Sequence, residues 1–343
     1  MDLHQVKEHL QSHLSDGLVL VVGSGLSCAE GMPGMGDLAI QLKNEVPTLI
    51  RDQDESVWQE IVALLDAGNN LEEALLKVKV SESLEKAIVD VTHEYILSHE
   101  KGIVGDVFDR GRVLRFSTLL PHLLKPNSGI PVITTNYDRL IEIASECAGL
   151  AVDNSFSGRY VSNFYPRESR FSLCRSVNQK SKKVLLEYAK FVSVFKPHGS
   201  LDWFLVNGEP ICSELFVSNE KLIITPGANK FRGGYERPFD THRELANRAI
   251  DKGSRYLIIG YGFNDEHLQV HLERQLEKGK PAVVLTRSVS EEFREYIKDK
   301  ENIWVVSSRP SIDGFQLMLG ESVYEFDGYN IWDLDVFVKE VLE

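Results

Sequence analysis

The chain has 343 residues, 43% hydrophobic and 26% charged, enough for one large α/β domain or two smaller ones around a sizeable core. Its formal charge of −13 speaks against a general nucleic-acid binder, because affinity for a phosphate backbone comes from clustered Lys and Arg. The longest apolar runs are strand-length, short of the ~20 residues that cross a bilayer, and MDLHQVKEHL reads as an amphipathic helix and not a signal sequence, so the expectation is a soluble, cytoplasmic protein.

In chain order, Leu3, Val6, Leu10 and Leu14 mark one face of an opening helix that Asp16-Gly17 ends. Leu18 to Val22 is a strand buried on both faces, and Gly23, Ser24 and Gly25 follow at once with a helix start behind them. Such a turn offers backbone N–H groups to a phosphate, and glycine lets a ligand come close. The glycine-rich loop from Gly31 to Gly36 leads to a helix carrying Leu38 and Leu42, with Asp37 as its predicted N-cap. From Glu55 to His99 the pattern is helical, with a stripe of Leu84, Ile88, Val91 and Tyr95 and a break at Asn69-Asn70. We draw this block, 52–104, as a helical insertion over the α/β core; its outer face is an assembly surface or simply packs.

A further helix bears Phe116, Leu119, Leu120 and Leu123. The next strand, from Pro131, ends in Thr134-Thr135-Asn136-Tyr137-Asp138, polar residues at the carboxyl end of a strand, where open α/β sheets place their functional groups. Periodicity is poor across 151–190, drawn as a basic irregular insertion. Between Arg159 and Lys183 seven basic residues stand against one acid, Glu168, a run that is solvated or meets an acidic partner. Phe191 to Phe195 is a strand running into Lys196-Pro197-His198-Gly199, and Trp203 to Val206 with Leu222 to Thr225 suggest a small β lobe. A helix around Arg243 to Ile250 precedes the strand Tyr256 to Ile259, whose sequel Gly260-Tyr261-Gly262-Phe263-Asn264-Asp265 repeats the strand-then-glycine pattern. Ala282 to Leu285 and Ile303 to Val306 are two more buried strands, and Asp333 to Leu342 is a closing helix. The alternation predicts one α/β domain over 1–343 with a doubly wound, mostly parallel Rossmann-like sheet.

Several sites are excluded or set aside. Cys28 stands where a dinucleotide fingerprint has its third glycine, and no Lys follows Gly31 as a P-loop requires. Cys28, Cys147, Cys174 and Cys212 contain no CxxC pair, hence no zinc ribbon, and Cys28 and Cys147 read as core thiols. His267 and His271 share a helix face but lack a third ligand, so no metal is expected.

Taken together, Gly23-Ser24-Gly25-Leu26-Ser27 with Gly31-Met32-Pro33, then Thr134 to Asp138, then His198-Gly199, then Gly260-Tyr261-Gly262, resemble the sirtuin superfamily in kind and order. Met35-Gly36-Asp37-Leu38 replaces the deacylases' D-F-R, and PHGSLDW and IIGYGFNDEHL look like the sirtuin-like domains of bacterial antiphage defence systems. That resemblance implies NAD as substrate and hydrolysis of its nicotinamide–ribose bond, depleting cellular NAD. It implies Asn136, His198 and Asp138 as catalytic residues, Gly23, Ser24, Gly25, Ser27 and Thr135 around the diphosphate and ribose, and Gly260, Tyr261 and Thr286 on the adenosine side. Asp202 would orient the His198 loop. It further implies an oligomer with a second subunit that activates it, such as a HerA-like ATPase or a nucleotide-sensing protein. An NAD-dependent protein deacylase and a non-catalytic NAD or ADP-ribose sensor are the alternatives.

Overall fold

The computed structural model describes residues 1–180, 183–215, 218, 220–226, 236–263 and 266–343, with backbone only at 180, 183, 266 and 267. Its strands are β1 (Leu18–Val22), β2 (Ile130–Thr134), β3 (Ala151–Asp153), β4 (Phe156–Gly158), β5 (Ser162–Phe164), β6 (Cys174–Lys180), β7 (Lys183–Tyr188), β8 (Phe191–Phe195), β9 (Gly199–Val206), β10 (Glu209–Cys212), β11 (Lys221–Ile223), β12 (Arg255–Ile259), β13 (Ala282–Thr286), β14 (Ile303–Ser308), β15 (Gly314–Leu319) and β16 (Ser322–Asp327). The helices are α1 (Leu3–His13), α2 (Ser24–Ala29), α3 (Met35–Leu49), α4 (Asp52–Asp66), α5 (Leu71–Lys77), α6 (Glu82–Arg110), α7 (Arg115–Leu119), α8 (Leu140–Cys147), α9 (Pro166–Ser172), α10 (Phe239–Lys252), α11 (Glu266–Glu277), α12 (Glu291–Ile297) and α13 (Leu334–Phe337), the last continued by a π turn, Val338–Leu342.

A nine-stranded sheet in the order β16-β15-β14-β13-β12-β1-β2-β8-β3 forms the centre. From β14 to β3 the pairs are parallel, and β15 and β16 close one edge antiparallel. The period-two alternation of β1 explains why helices cover both faces. Leu20 and Val22 pack into the core formed with α1, α7, α8 and α13, while Val19 and Val21 pack into the opposite core with α10, α11 and α12. The chain leaves β1 for β2 on one side and later returns to β12 on the other, so the order reverses at β1. The carboxyl ends of β1, β2 and β12 therefore border the crevice where open α/β sheets bind ligands.

Helices α3 to α6 enclose a core of their own, built on Leu42, Val46, Trp58, Ile61, Leu71, Leu84 and Ile88. Fully burying such aliphatic or aromatic side chains contributes about 1.5–3 kcal/mol each, which is why this block holds together beside the sheet. A five-stranded antiparallel sheet, β11-β9-β10-β5-β4, packs around Phe156, Phe164 and Trp203, and β6 pairs with β7 as a hairpin.

Four features differ from the sequence reading. The described residues of the stretch from Ala151 to Lys190 form strands and a helix; β3, β4 and β5, of three residues each, carry no readable period. Cys28 and Cys147 are exposed: in α2 the inward positions are Leu26 and Ser27, and in α8 they are Leu140, Ile141, Ala144 and Ser145. Asp37 is not the N-cap of α3. Gly34 takes that position, and Asp37, three residues on, accepts the Gly34 N–H at 3.0 Å. The β15–β16 hairpin went unread, although Gly320 at φ +57° supplies the turn chemistry that such hairpins need. No described helix is long and apolar enough to cross a membrane.

Candidate active site

A cleft of about 200 Å³ lies over the carboxyl ends of the central strands. β1 contributes Gly23, Ser24 and Ser27 through the turn into α2; β2 contributes Thr135, Asn136, Tyr137 and Asp138; the loop after β8 contributes His198; the loop after β12 contributes Tyr261 and Gly262. Met32, Pro33, Gly34, Met35 and Leu38 cover it, joined by Glu72 of α5 and Ile96 of α6.

Asn136 is held at three points. Its backbone N–H donates to Thr134 Oγ1 at 3.1 Å, and its side-chain nitrogen donates to Gly23 O at 3.0 Å and to Ser27 Oγ at 2.8 Å. Both amide hydrogens are thus committed to the β1–α2 turn, which leaves the carboxamide oxygen as the group this side chain can offer a ligand. Ser27 in turn hydrogen-bonds the Asp138 carboxylate, which also accepts the N–H of Leu140, the first residue of α8, at 3.2 Å. Asp138 is 5% exposed, and burial raises its pKa above the ordinary carboxylate value against the opposing pull of Lys196, Ser27 and Leu140.

Lys196, fully buried, fastens this loop from behind. Its ammonium donates to the backbone carbonyls of Asp138 and Tyr137 and pairs with Glu142 Oε1 at 3.1 Å. Ile224 links the other loops: its N–H donates to His198 O at 2.9 Å, and its carbonyl accepts the Tyr137 hydroxyl at 2.6 Å. Gly199 has φ +89°, and a Cβ there would lie 2.0 Å from Leu222 O, so only glycine lets β9 start against β11 directly after His198. His198 itself is half-buried at the cleft. Lys196, Tyr137 and the covering residues Leu38, Glu72 and Ile96 were missed from sequence. A lysine ending the apolar run FVSVF was the signal for the first.

The glycines of the β1 turn make a contact that was not read from the sequence. A Cβ on Gly23 would lie 2.4 Å from Gly260 O, and one on Gly25 would lie 2.7 Å from Gly260 Cα. The Gly23 and Gly25 N–H groups donate to Ile259 O and Gly260 O, both at 2.9 Å. These glycines let two loops close on each other; of the turn and the start of α2, Gly23, Ser24 and Ser27 line the cleft, and Ser24 is exposed there. Gly25, Gly260 and Thr286 do not line the cleft; Thr286 Oγ1 donates to Ser288 O at 2.9 Å beyond the end of β13. Asp202 lies in a different cleft, described below. Asn264, Asp265 and the His267 side chain fall outside the described residues, and among those described no group of three or more His, Cys, Asp or Glu is placed to hold a metal ion.

The model of the SIR2-like domain family matches residues 131–306. No curated protein sequence matches the chain. Among solved structures, a sirtuin described for its substrate affinity is 11% identical, with 100% of this chain and 98% of that chain covered and a TM-score of 0.45. Sir2Tm bound to a propionylated peptide is 11% identical over 99% and 98%, TM-score 0.46, and a Sir2–p53 peptide–NAD+ complex is 13% identical over 100% and 98%, TM-score 0.39.

Proposed function

The chain belongs to the SIR2-like domain family, and from that premise we propose that it is an NAD+ hydrolase releasing nicotinamide and ADP-ribose. The observation that carries this reading is the gathering of Asn136, Asp138, His198, Ser24 and Ser27 from three strand ends into one cleft, with the Asn136 amide fixed by Gly23 and Ser27.

In the reaction the bond between the ribose anomeric carbon and the pyridinium nitrogen breaks, and its electron pair neutralises the ring. The leaving group therefore needs little acid catalysis. The protein must hold the ribose, stabilise its developing positive charge and place a water. Asn136 Oδ1 accepts a hydrogen bond from that water or a ribose hydroxyl. His198, which lines the cleft, takes the proton that water loses as it attacks the anomeric carbon. Asp138 orders the site through Ser27 and adds a negative group near the cation. Ser24 and Thr135 contact the diphosphate side, while Tyr261 of the β12 loop lies on the adenosine side.

The size of the cleft supports regulation. About 200 Å³ is below the ~300–1,000 Å³ of pockets that take drug-sized ligands, and movement of the cover would widen the cleft for a dinucleotide. The cover comes from α3 and from Glu72 and Ile96 of the block we propose as an insertion, 52–104, so a second subunit acting on that block would open the site. This suits an effector of antiphage defence that stays closed until triggered and then depletes NAD. The test is cellular NAD in bacteria expressing the chain with its neighbouring genes, before and after phage challenge. A fall that Asn136→Ala and His198→Ala abolish is expected. An unchanged NAD level in every state, or consumption of an acetylated peptide in step with NAD, would contradict the proposal.

A further inference from the structure

A second cleft, of about 300 Å³, opens between α8 and the antiparallel sheet and shares no lining residue with the first. Its floor holds two carboxylates, Glu142 from α8 and Asp202 from β9, each with one occupied and one unoccupied oxygen. Glu142 Oε1 takes Lys196 Nζ at 3.1 Å and Asp202 Oδ2 takes the Cys212 thiol at 3.0 Å. Glu142 Oε2 and Asp202 Oδ1 are buried without a hydrogen-bond partner, and Asp202 is only 8% exposed. Buried polar atoms in native proteins are almost always bonded, so two neighbouring exceptions at one cleft require an explanation.

The nearby cation does not supply it. Arg139 directs Nε to Glu100 at 2.9 Å and Nη1 to Glu214 at 2.8 Å. Lining the cleft, Glu142, Glu146, Asp202 and Glu214 stand against Arg139 and Arg159, so carboxylates are in excess. A bridging water could donate to both oxygens but would carry no charge and leave that excess. Burial, and after Lys196 the Asp202 charge, both bear on Glu142, whose pKa is raised. Tyr160, 67% exposed, presents an aromatic ring at the rim, with the Arg159 guanidinium over the ring 5.7 Å from its centroid, so a ligand would meet its other face.

We propose that this cleft recognises a guanidinium group, which donates to Glu142 Oε2 and Asp202 Oδ1 together while the Tyr160 ring lies against its face. A planar fork of N–H donors serves two acceptors at once and is weakly hydrated, whereas an ammonium is a compact, strongly hydrated point charge. Stacking on an aromatic ring adds to the preference for a guanidinium. Lys196, which holds Glu142 here, also holds the Asp138 carbonyl at the first cleft, so the two clefts share one buried cation.

The experiment is calorimetric titration of the full chain, without NAD, using agmatine, doubly blocked arginine and doubly blocked lysine at constant ionic strength. Saturable binding of a guanidine is expected, with Asp202→Asn and Glu142→Gln weakening it at least tenfold and Tyr160→Ala, an exposed position, weakening it about threefold. Blocked arginine matching agmatine points to an arginine of a partner polypeptide; agmatine alone points to a free guanidine. Absence of saturable binding, equal binding of blocked lysine, or unchanged affinity in folded Asp202→Asn overturns the proposal. Should the floor variants not fold, the arginine–lysine comparison and Tyr160→Ala still decide it. The readout involves no NAD cleavage, so it stands or falls apart from the hydrolase reading.

Discussion

Ser27→Ala removes one oxygen from the hinge of the candidate active site, and its effect can be worked through bond by bond. Ser27 is 6% exposed; its hydroxyl accepts from Asn136 at 2.8 Å and hydrogen-bonds Asp138. In the variant one Asn136 N–H faces a methyl group, a buried unsatisfied donor costing about 1–3 kcal/mol. The Asp138 carboxylate loses a bond worth about 1.5–3 kcal/mol, softened because the group can take up a proton instead. The expected destabilisation is about 2–4 kcal/mol. Its pH dependence has a definite sign. Ser27 favours the charged form of Asp138, so its removal raises the folded-state pKa further, and the ionised group weighs more heavily on the folded state as pH rises. The loss should therefore be greater near about pH 8 than near about pH 5. Urea unfolding at both pH values measures this. Combined with Asn136→Ala, the cycle should show a coupling of about 0.5–3 kcal/mol. A wild-type urea midpoint, or effects that simply add, would refute the proposed linkage of Ser27 with Asn136 and Asp138.

Three other outcomes follow from the same geometry. Gly25→Ala drives a Cβ to 2.7 Å from Gly260 Cα, backbone against backbone, and should lower stability by about 2 kcal/mol or more, while Gly36→Ala, with open space around it, should be nearly neutral or stabilising; thermal melts distinguish them. Glu100→Gln leaves the buried Arg139 guanidinium without its fully buried carboxylate partner and should cost about 3–5 kcal/mol in chemical denaturation. Burial lowers the His13 pKa to about 4 and the His242 pKa to about 3. The unfolded chain then binds protons that the folded one refuses, so below about pH 6.5 each histidine removes about 1.4 kcal/mol of stability per pH unit, until its folded pKa is reached. Asp138 and Glu142, with raised pKa values, act in the opposite sense over the acid range, so the comparison is between wild type and His242→Gln, whose acid slope should be shallower by about that amount.

The sequence was legible where one element decides its own structure. β1, β2, β8 and β12 are short apolar runs ending in polar or glycine residues, and those endings meet at the sheet's switch point whatever surrounds them. The resemblance grouped Asn136, Asp138 and His198, and the strand ends bring them to one cleft. What could not be read depends on elements distant in sequence. The contact of Gly25 with Gly260 joins segments 235 residues apart, so the mutual close approach of these glycines could not be read from either segment alone. The cover is set by how α3, α5 and α6 pack on their own core, and amphipathic spacing fixes a helix's buried face but not its neighbour. Lys196 is invisible as a buried cation until Asp138 and Glu142 are folded around it.

The central claim is tested most directly by incubating the purified chain, alone and with the proteins encoded beside it, with NAD+ in ¹⁸O-labelled water. The account predicts nicotinamide release and ¹⁸O at the anomeric carbon of ADP-ribose, reduced about 10²-fold or more by His198→Ala and by Asn136→Ala. Intact NAD+ in every mixture, or wild-type turnover by both variants, would contradict it.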